Sequence, residues 1–287
     1  MKMLPFIFLL IRRGSLFQKP IDFEAERKSL VASLPVNAIT PPKAAKSSLL
    51  WKVPGLYSIM ASMSYFRRRH EMNRMYYVSD SHKVVYARIL KAGSTSILNE
   101  FLKLMDNNLR AISLNDDQID ALGYYFVKRE IPQSAGNFER FAIVRDPYQR
   151  IVSVYLDLFD PTSPIFSYSA YWFGILDRSM SFKDFVKVIS KVPVSLLGPH
   201  FTPQYSILME LPDVKVFRLE KDKSELTDFL RRYGIELLHR NKNEKEYDYR
   251  SYYDRETFEL VRKLYATDVD RYGYSVEEDG LRKVIGG

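Results

Sequence analysis

Two short stretches of the chain hold residue types from which chemistry can be built. The first is Lys91-Ala92-Gly93-Ser94-Thr95-Ser96, set between an apolar run and a segment with helical spacing. A turn of that kind directs several backbone N–H groups and the positive end of a helix dipole at one point, which makes an anion site. Gly93 lets the backbone come close, Ser94, Thr95 and Ser96 add hydroxyl donors, and Lys91 adds a point charge. The expected ligand is a phosphate-like group. The second stretch starts at Arg145, whose planar fork can donate two parallel hydrogen bonds to such a group. Ser153 lies eight residues on, about two helical turns, so both can reach an anion held above a sheet edge. Taken singly, each stretch also has a plain structural account: a Gly/Ser turn, an arginine in an ion pair, a serine inside a helix. The order GxxxxGK[ST] of nucleoside-triphosphate loops is absent, because here the lysine precedes the glycine.

The elements that must position these residues follow from the surrounding pattern. Lys83 to Leu90 is a β-branched and aromatic run of buried-strand length, and Ile97 to Met105 is apolar at helical spacing, so the first turn joins a strand to a helix. Arg140 to Arg145 reads as a second strand. It enters a helix from Tyr148 to Phe159, opened by Asp146 as cap and Pro147 at the first helical position. A third strand, Val214 to Leu219, precedes a helix around Lys223 to Tyr233. Ser181 to Asp184 has the form of a capping box, and Arg255 to Tyr272 is the last strong helix. Alternation of short strands and helices predicts an α/β fold, a P-loop-like parallel sheet with helices on both faces, in a single domain. The expected organisation is a basic N-terminal arm with lead-in helices over 1–80, a domain over 81–275 and a tail over 276–287.

Composition narrows the chemistry. The 287 residues include no cysteine, which removes disulfides, thiolate zinc sites and a cysteine nucleophile together. Four histidines, His70, His82, His200 and His239, show no metal-ligand spacing, so metal-free chemistry is expected. The net charge of +8 is held entirely by residues 1–80, with 13 Lys/Arg against 5 Asp/Glu; the remainder balances at 30 against 30. A chain-wide basic face for nucleic acid is therefore not expected. The apolar run Met3 to Ile11 is too short to span a bilayer. The arm, rich in proline beyond residue 14, carries Arg67, Arg68 and Arg69 among its cations and is a candidate for peripheral contact with an anionic membrane.

The two turns together resemble a known family. Arg88-Ile89-Leu90-Lys91-Ala92-Gly93-Ser94-Thr95-Ser96 is similar to the 5′-phosphosulfate loop of sulfotransferases, and Val144-Arg145-Asp146-Pro147-Tyr148-Gln149-Arg150-Ile151-Val152-Ser153-Val154-Tyr155 to their 3′-phosphate motif. Pro199-His200-Phe201-Thr202-Pro203-Gln204, the strand Lys215 to Glu220 and the tail from Tyr249 to Tyr274 agree, and the closest likeness is to the carbohydrate branch. The resemblance covers roughly residues 82 to 275. It implies transfer of a sulfuryl group from 3′-phosphoadenosine 5′-phosphosulfate (PAPS) to a hydroxyl, or less readily an amine, of a carbohydrate or glycolipid. By the same resemblance Lys91 and residues 92 to 96 hold the 5′ end, Arg145 and Ser153 hold the 3′-phosphate, and Lys91 stabilises the departing oxygen. His200, in a family-like loop and of a type that titrates near neutral pH, is the expected general base, with Asp116, Asp117, Asp120 and Glu130 as carboxylate alternatives. Leu90 stands where the family often has proline, which softens the turn without removing the charge. Lacking the anchor and cysteines of Golgi members, the chain is expected in the cytoplasm. Two other readings stay open: a nucleotide-dependent kinase with a variant P-loop, and a non-catalytic binder of anionic glycans or lipids working through the arm.

Overall fold

A computed structural model of the chain describes residues 73–159, 176, 179–236 and 247–286. The arm up to residue 72, with its lead-in helices, its triple arginine and its membrane contact, lies outside the described residues, as do residues 160–175 and 237–246.

The centre is a four-stranded sheet in the order β1-β2-β3-β4, made of β1 (Tyr76–Ser79), β2 (Val84–Ala87), β3 (Glu139–Val144) and β4 (Val214–Arg218). β2, β3 and β4 run parallel, with Tyr86 opposite Phe141 and Val144 opposite Arg218. β1 runs antiparallel to β2. The expectation of a wholly parallel sheet is thus corrected to a mixed one. Only residues 80–83 join β1 to β2, with Lys83 at φ +54, and a parallel connection needs a dozen residues or more. β1 also places the start of the sheet inside the stretch read as arm, and residues read as a tail form a helix.

Helices cover both faces because side chains of a strand alternate. Tyr77, Val84, Tyr86, Phe141, Ile143 and Phe217 point to one side, where α1 (Ser94–Met105), α2 (Asp116–Phe126) and α6 (Lys223–Arg231) bury Phe101, Leu122 and Phe229. The Tyr86 and Phe141 rings stack at 5.0 Å in the middle of that layer. Val78, Val85, Ala87, Ala142 and Val144 point to the other side. That side is covered by α3 (Pro147–Leu158), α4 (Phe182–Ile189), α5 (Gln204–Leu208), α7 (Arg255–Tyr272) and α8 (Ser275–Gly286), contributing residues such as Ile151, Phe185, Tyr265 and Leu281.

The helix starts are chemically marked. Asp146 caps α3 by accepting from Tyr148 N at 3.0 Å, with Pro147 next, and Ser181 caps α4 by accepting from Asp184 N. α2 opens on a full capping box in which Asn115 and Gln118 exchange side-chain and backbone bonds. α7 leaves helical geometry at Tyr265, φ −116°, where the phenol donates to Phe201 O at 2.7 Å. Since β2, β3 and β4 are parallel, their carboxyl ends share one edge, where ligands of open α/β sheets bind.

Candidate active site

The Lys91 turn leaves β2 at that edge. Lys91 and Gly93 both have left-handed backbones, φ +65 and +66, with buried Ala92 between them. A side chain at Gly93 would also meet Leu219 Cδ1 at 2.9 Å, so the position needs glycine for space as well as conformation. Gly93 caps α1 without any side-chain bond, and the first turn of α1 holds no acidic residue. The open N–H groups and the dipole therefore face outward and favour an anion. Arg88, 6% exposed, braces the turn by donating to Ser94 Oγ at 3.3 Å and to Asp120 at 2.6 Å.

The Arg145 turn leaves β3 beside it. Gln204 grips its backbone in both directions: its Oε1 accepts from Arg145 N at 2.9 Å and its Nε2 donates to Arg145 O at 2.8 Å. Buried Asp268 holds Gln204 in turn, accepting from Gln204 N and Tyr205 N at 2.8 Å each. The guanidinium donates to Lys91 O at 3.4 Å, so the two turns touch. Its Nε forms a long ion pair with the Glu220 carboxylate at 3.8 Å, beyond hydrogen-bond reach, and has no hydrogen-bond partner among the described residues. Glu220 is held by Asp146 N at 3.1 Å and by the Tyr274 hydroxyl at 3.0 Å.

A cavity of about 230 Å³ opens between the turns, walled by Arg88, Leu90, Lys91, Gly93, Ser94, Thr95, Ser96, Asp120, Arg145, Ser153 and His200. Of the residues expected at the site, Lys91, Gly93 to Ser96, Arg145, Ser153 and His200 are thus brought together. Ala92 is not on the wall; its methyl group packs into the core. Of the carboxylate alternatives, Asp120 reaches the cavity but is tied to Arg88, whereas Asp116, Asp117 and Glu130 stay off it. Asp157, one turn beyond Ser153 on α3, pairs with Lys91 Nζ. Helical spacing from Ser153 is the signal that points to it. Arg150 and Gln204, which hold the turns in place, act across long sequence separations that no spacing marks.

The site is rich in positive charge. Burial first, then Lys91, Arg150 and Arg88, push His200 down to about 3. An imidazole expected to titrate near neutrality is instead held neutral well into acid, because the fold buries it first and then gathers three cations around it. Among the described residues no group of three or more His, Asp or Glu is arranged to hold a metal ion.

A sequence profile described as the sulfotransferase family matches residues 74–275. The chain belongs to the sulfotransferase family. No curated protein and no solved structure matches it. For a sulfotransferase-family domain, whose membership supports transferase activity, the match is informative in its extent: it begins just ahead of β1 and ends at the start of α8, taking in both turns, Ser153 and the His200 loop. No helix of the described residues is long and apolar enough to cross a membrane.

Proposed function

We propose that this sulfotransferase-family protein uses PAPS as donor and sulfates a hydroxyl, less readily an amine, of a carbohydrate or glycolipid. The observation that carries this reading is the contact of the two turns across a single cation-lined cavity, with Arg145 Nε left without a hydrogen bond among the described residues. The residues present fit such a donor. The uncapped start of α1, the glycine cradle over Leu219 and Lys91 suit its 5′-phosphosulfate, and Arg145 with Ser153 suits its 3′-phosphate.

When bound, the donor would supply the sulfuryl group to the acceptor oxygen, the sulfur–oxygen bond breaking with its electron pair retained by adenosine 3′,5′-bisphosphate. Lys91 and the first N–H groups of α1 would stabilise negative charge at that bond, and donors preset in this way are worth about 3 to 4 kcal/mol each. His200 would take the hydroxyl proton. Its low basicity in the free protein comes from burial and neighbouring cations, so neutralisation of those cations by a bound anion raises it toward the range useful for a base.

Calorimetry with adenosine 3′,5′-bisphosphate in the absence of magnesium tests the donor site. Arg145→Ala is expected to weaken binding about 10- to 100-fold, while Lys91→Ala mainly lowers turnover. Equal affinity of wild type and Arg145→Ala would refute the assignment. Stabilisation by ATP with magnesium in place of the bisphosphate would favour a kinase. Incubation with radiolabelled donor and a panel of extracted glycans and lipids identifies the acceptor. Peripheral membrane contact through residues 1–80, proposed from their charge, is tested by sedimentation with anionic vesicles at low salt.

A further inference from the structure

Arg150 is 2% exposed, and all its hydrogen bonds go to backbone carbonyls. Its Nε donates to Leu90 O at 3.0 Å, on the residue before Lys91. Its two terminal nitrogens donate to Thr202 O at 3.0 Å and Pro199 O at 3.2 Å, on either side of His200. One guanidinium thus joins α3, the lysine turn and the His200 loop. Among the described residues no carboxylate pairs with it, although a buried arginine is ordinarily matched by one. Asp268, the nearest acidic influence, is committed to the backbone of Gln204 and Tyr205. An unmatched buried charge is costly, and a structural tie alone does not call for it.

We propose that Arg150 is a positioning residue of the transfer reaction, fastening the His200 loop to the lysine turn so that the imidazole and the Lys91 amine are presented to the same cavity. This rests on the reading of His200 as the acceptor of the hydroxyl proton. Of the three cations near His200, Lys91 and Arg88 are tied to Asp157 and Asp120, and Arg150 alone hydrogen-bonds to both the turn and the loop.

The test uses the full chain with no donor added and follows deuterium uptake beside turnover. Arg150→Lys keeps the charge and loses the fork. It should raise deuterium uptake in residues 88–93 and 197–204 together, and lower turnover about 10- to 100-fold with a smaller change in donor affinity. Unchanged uptake in both segments, or wild-type turnover in the folded variant, would overturn the proposal. Should adenosine 3′,5′-bisphosphate fail to bind wild type, the donor assignment falls, while the exchange results still decide the role of Arg150.

Discussion

Lys91 is held in a backbone conformation that L-residues avoid, and replacing it separates what the position needs for folding from what it needs for chemistry. At φ +65 a side chain crowds the following carbonyl at a cost of about 1–2 kcal/mol. Glycine escapes that cost but loses about 0.5–1 kcal/mol more chain entropy on folding. Both Lys91→Gly and Lys91→Ala give up the ion pair with Asp157, a partly exposed pair worth about 0.2–1 kcal/mol, so this loss cancels in their comparison. Lys91→Gly should therefore be the more stable of the two by about 0.5–1 kcal/mol, or roughly 1–4 °C in Tm for a domain of this size. Turnover with labelled donor should fall in both by about 10²- to 10³-fold. A strained residue whose relief leaves folding intact and removes activity is one held for function. Scanning calorimetry and an initial-rate assay on the pair decide the matter. If Lys91→Ala melts at or above Lys91→Gly, the strain reasoning is wrong; if either keeps wild-type turnover, the amine does not act on the reacting bond.

Other perturbations follow from the same geometry. Gly93→Ala should lose about 2–3 kcal/mol, combining the left-handed backbone with displacement of Leu219 from its rotamer. Gly234→Ala, at φ +72 with nothing near its added carbon, should lose only about 1–2 kcal/mol; equal losses by urea denaturation would mean that Leu219 does not seat the loop. Asp157→Asn removes an anion that competes for Lys91 and should tighten adenosine 3′,5′-bisphosphate binding about two- to fivefold at low salt, less at 0.5 M. Calorimetry showing no change, or weaker binding, rules out that competition. Burial, opposed by the Tyr148 N–H and assisted by the Glu220 charge, lifts Asp146 to about 7. Because the folded-state value lies above the unfolded one, its contribution favours folding below about pH 4 and is lost as pH rises to about 7. Asp146→Asn, which keeps the cap oxygen, should cut the fall in unfolding free energy between pH 5 and pH 8 by roughly 2–3 kcal/mol; parallel pH profiles for the two proteins would refute it.

The core of the site was legible because its signals are local. A buried run into Lys91-Ala92-Gly93, and another into Arg145-Asp146-Pro147, mark strand, turn and helix within a dozen residues each. Parallel strands then place both turns at one edge. β1 escaped because Tyr76 to Ser79 is buried on both faces and shows no alternation; it is recognisable only through its pairing with β2. α2 carried a readable start in Asn115 and Gln118, but Gly123 in its interior weakens the helical signal; that glycine sits where a side chain would strike Leu98 Cδ2. The titration of His200 was not readable at all. It depends first on burial, then on Lys91, Arg150 and Arg88, which lie 109, 50 and 112 residues away in the chain and are brought near only by the fold.

Gln204 has a consequence for how such sites can change. By pairing with both the N–H and the C=O of Arg145, its side-chain amide does the work of one more peptide unit beyond the last residue of β3. The main chain can therefore swing away at the arginine with its polar groups satisfied, although no neighbouring strand reaches that far. A strand is extended only by remodelling a whole segment, whereas a surrogate peptide on one side chain arises or disappears in a single substitution. The point at which the chain leaves the sheet, and with it the direction of the arginine, is accessible to evolution one codon at a time.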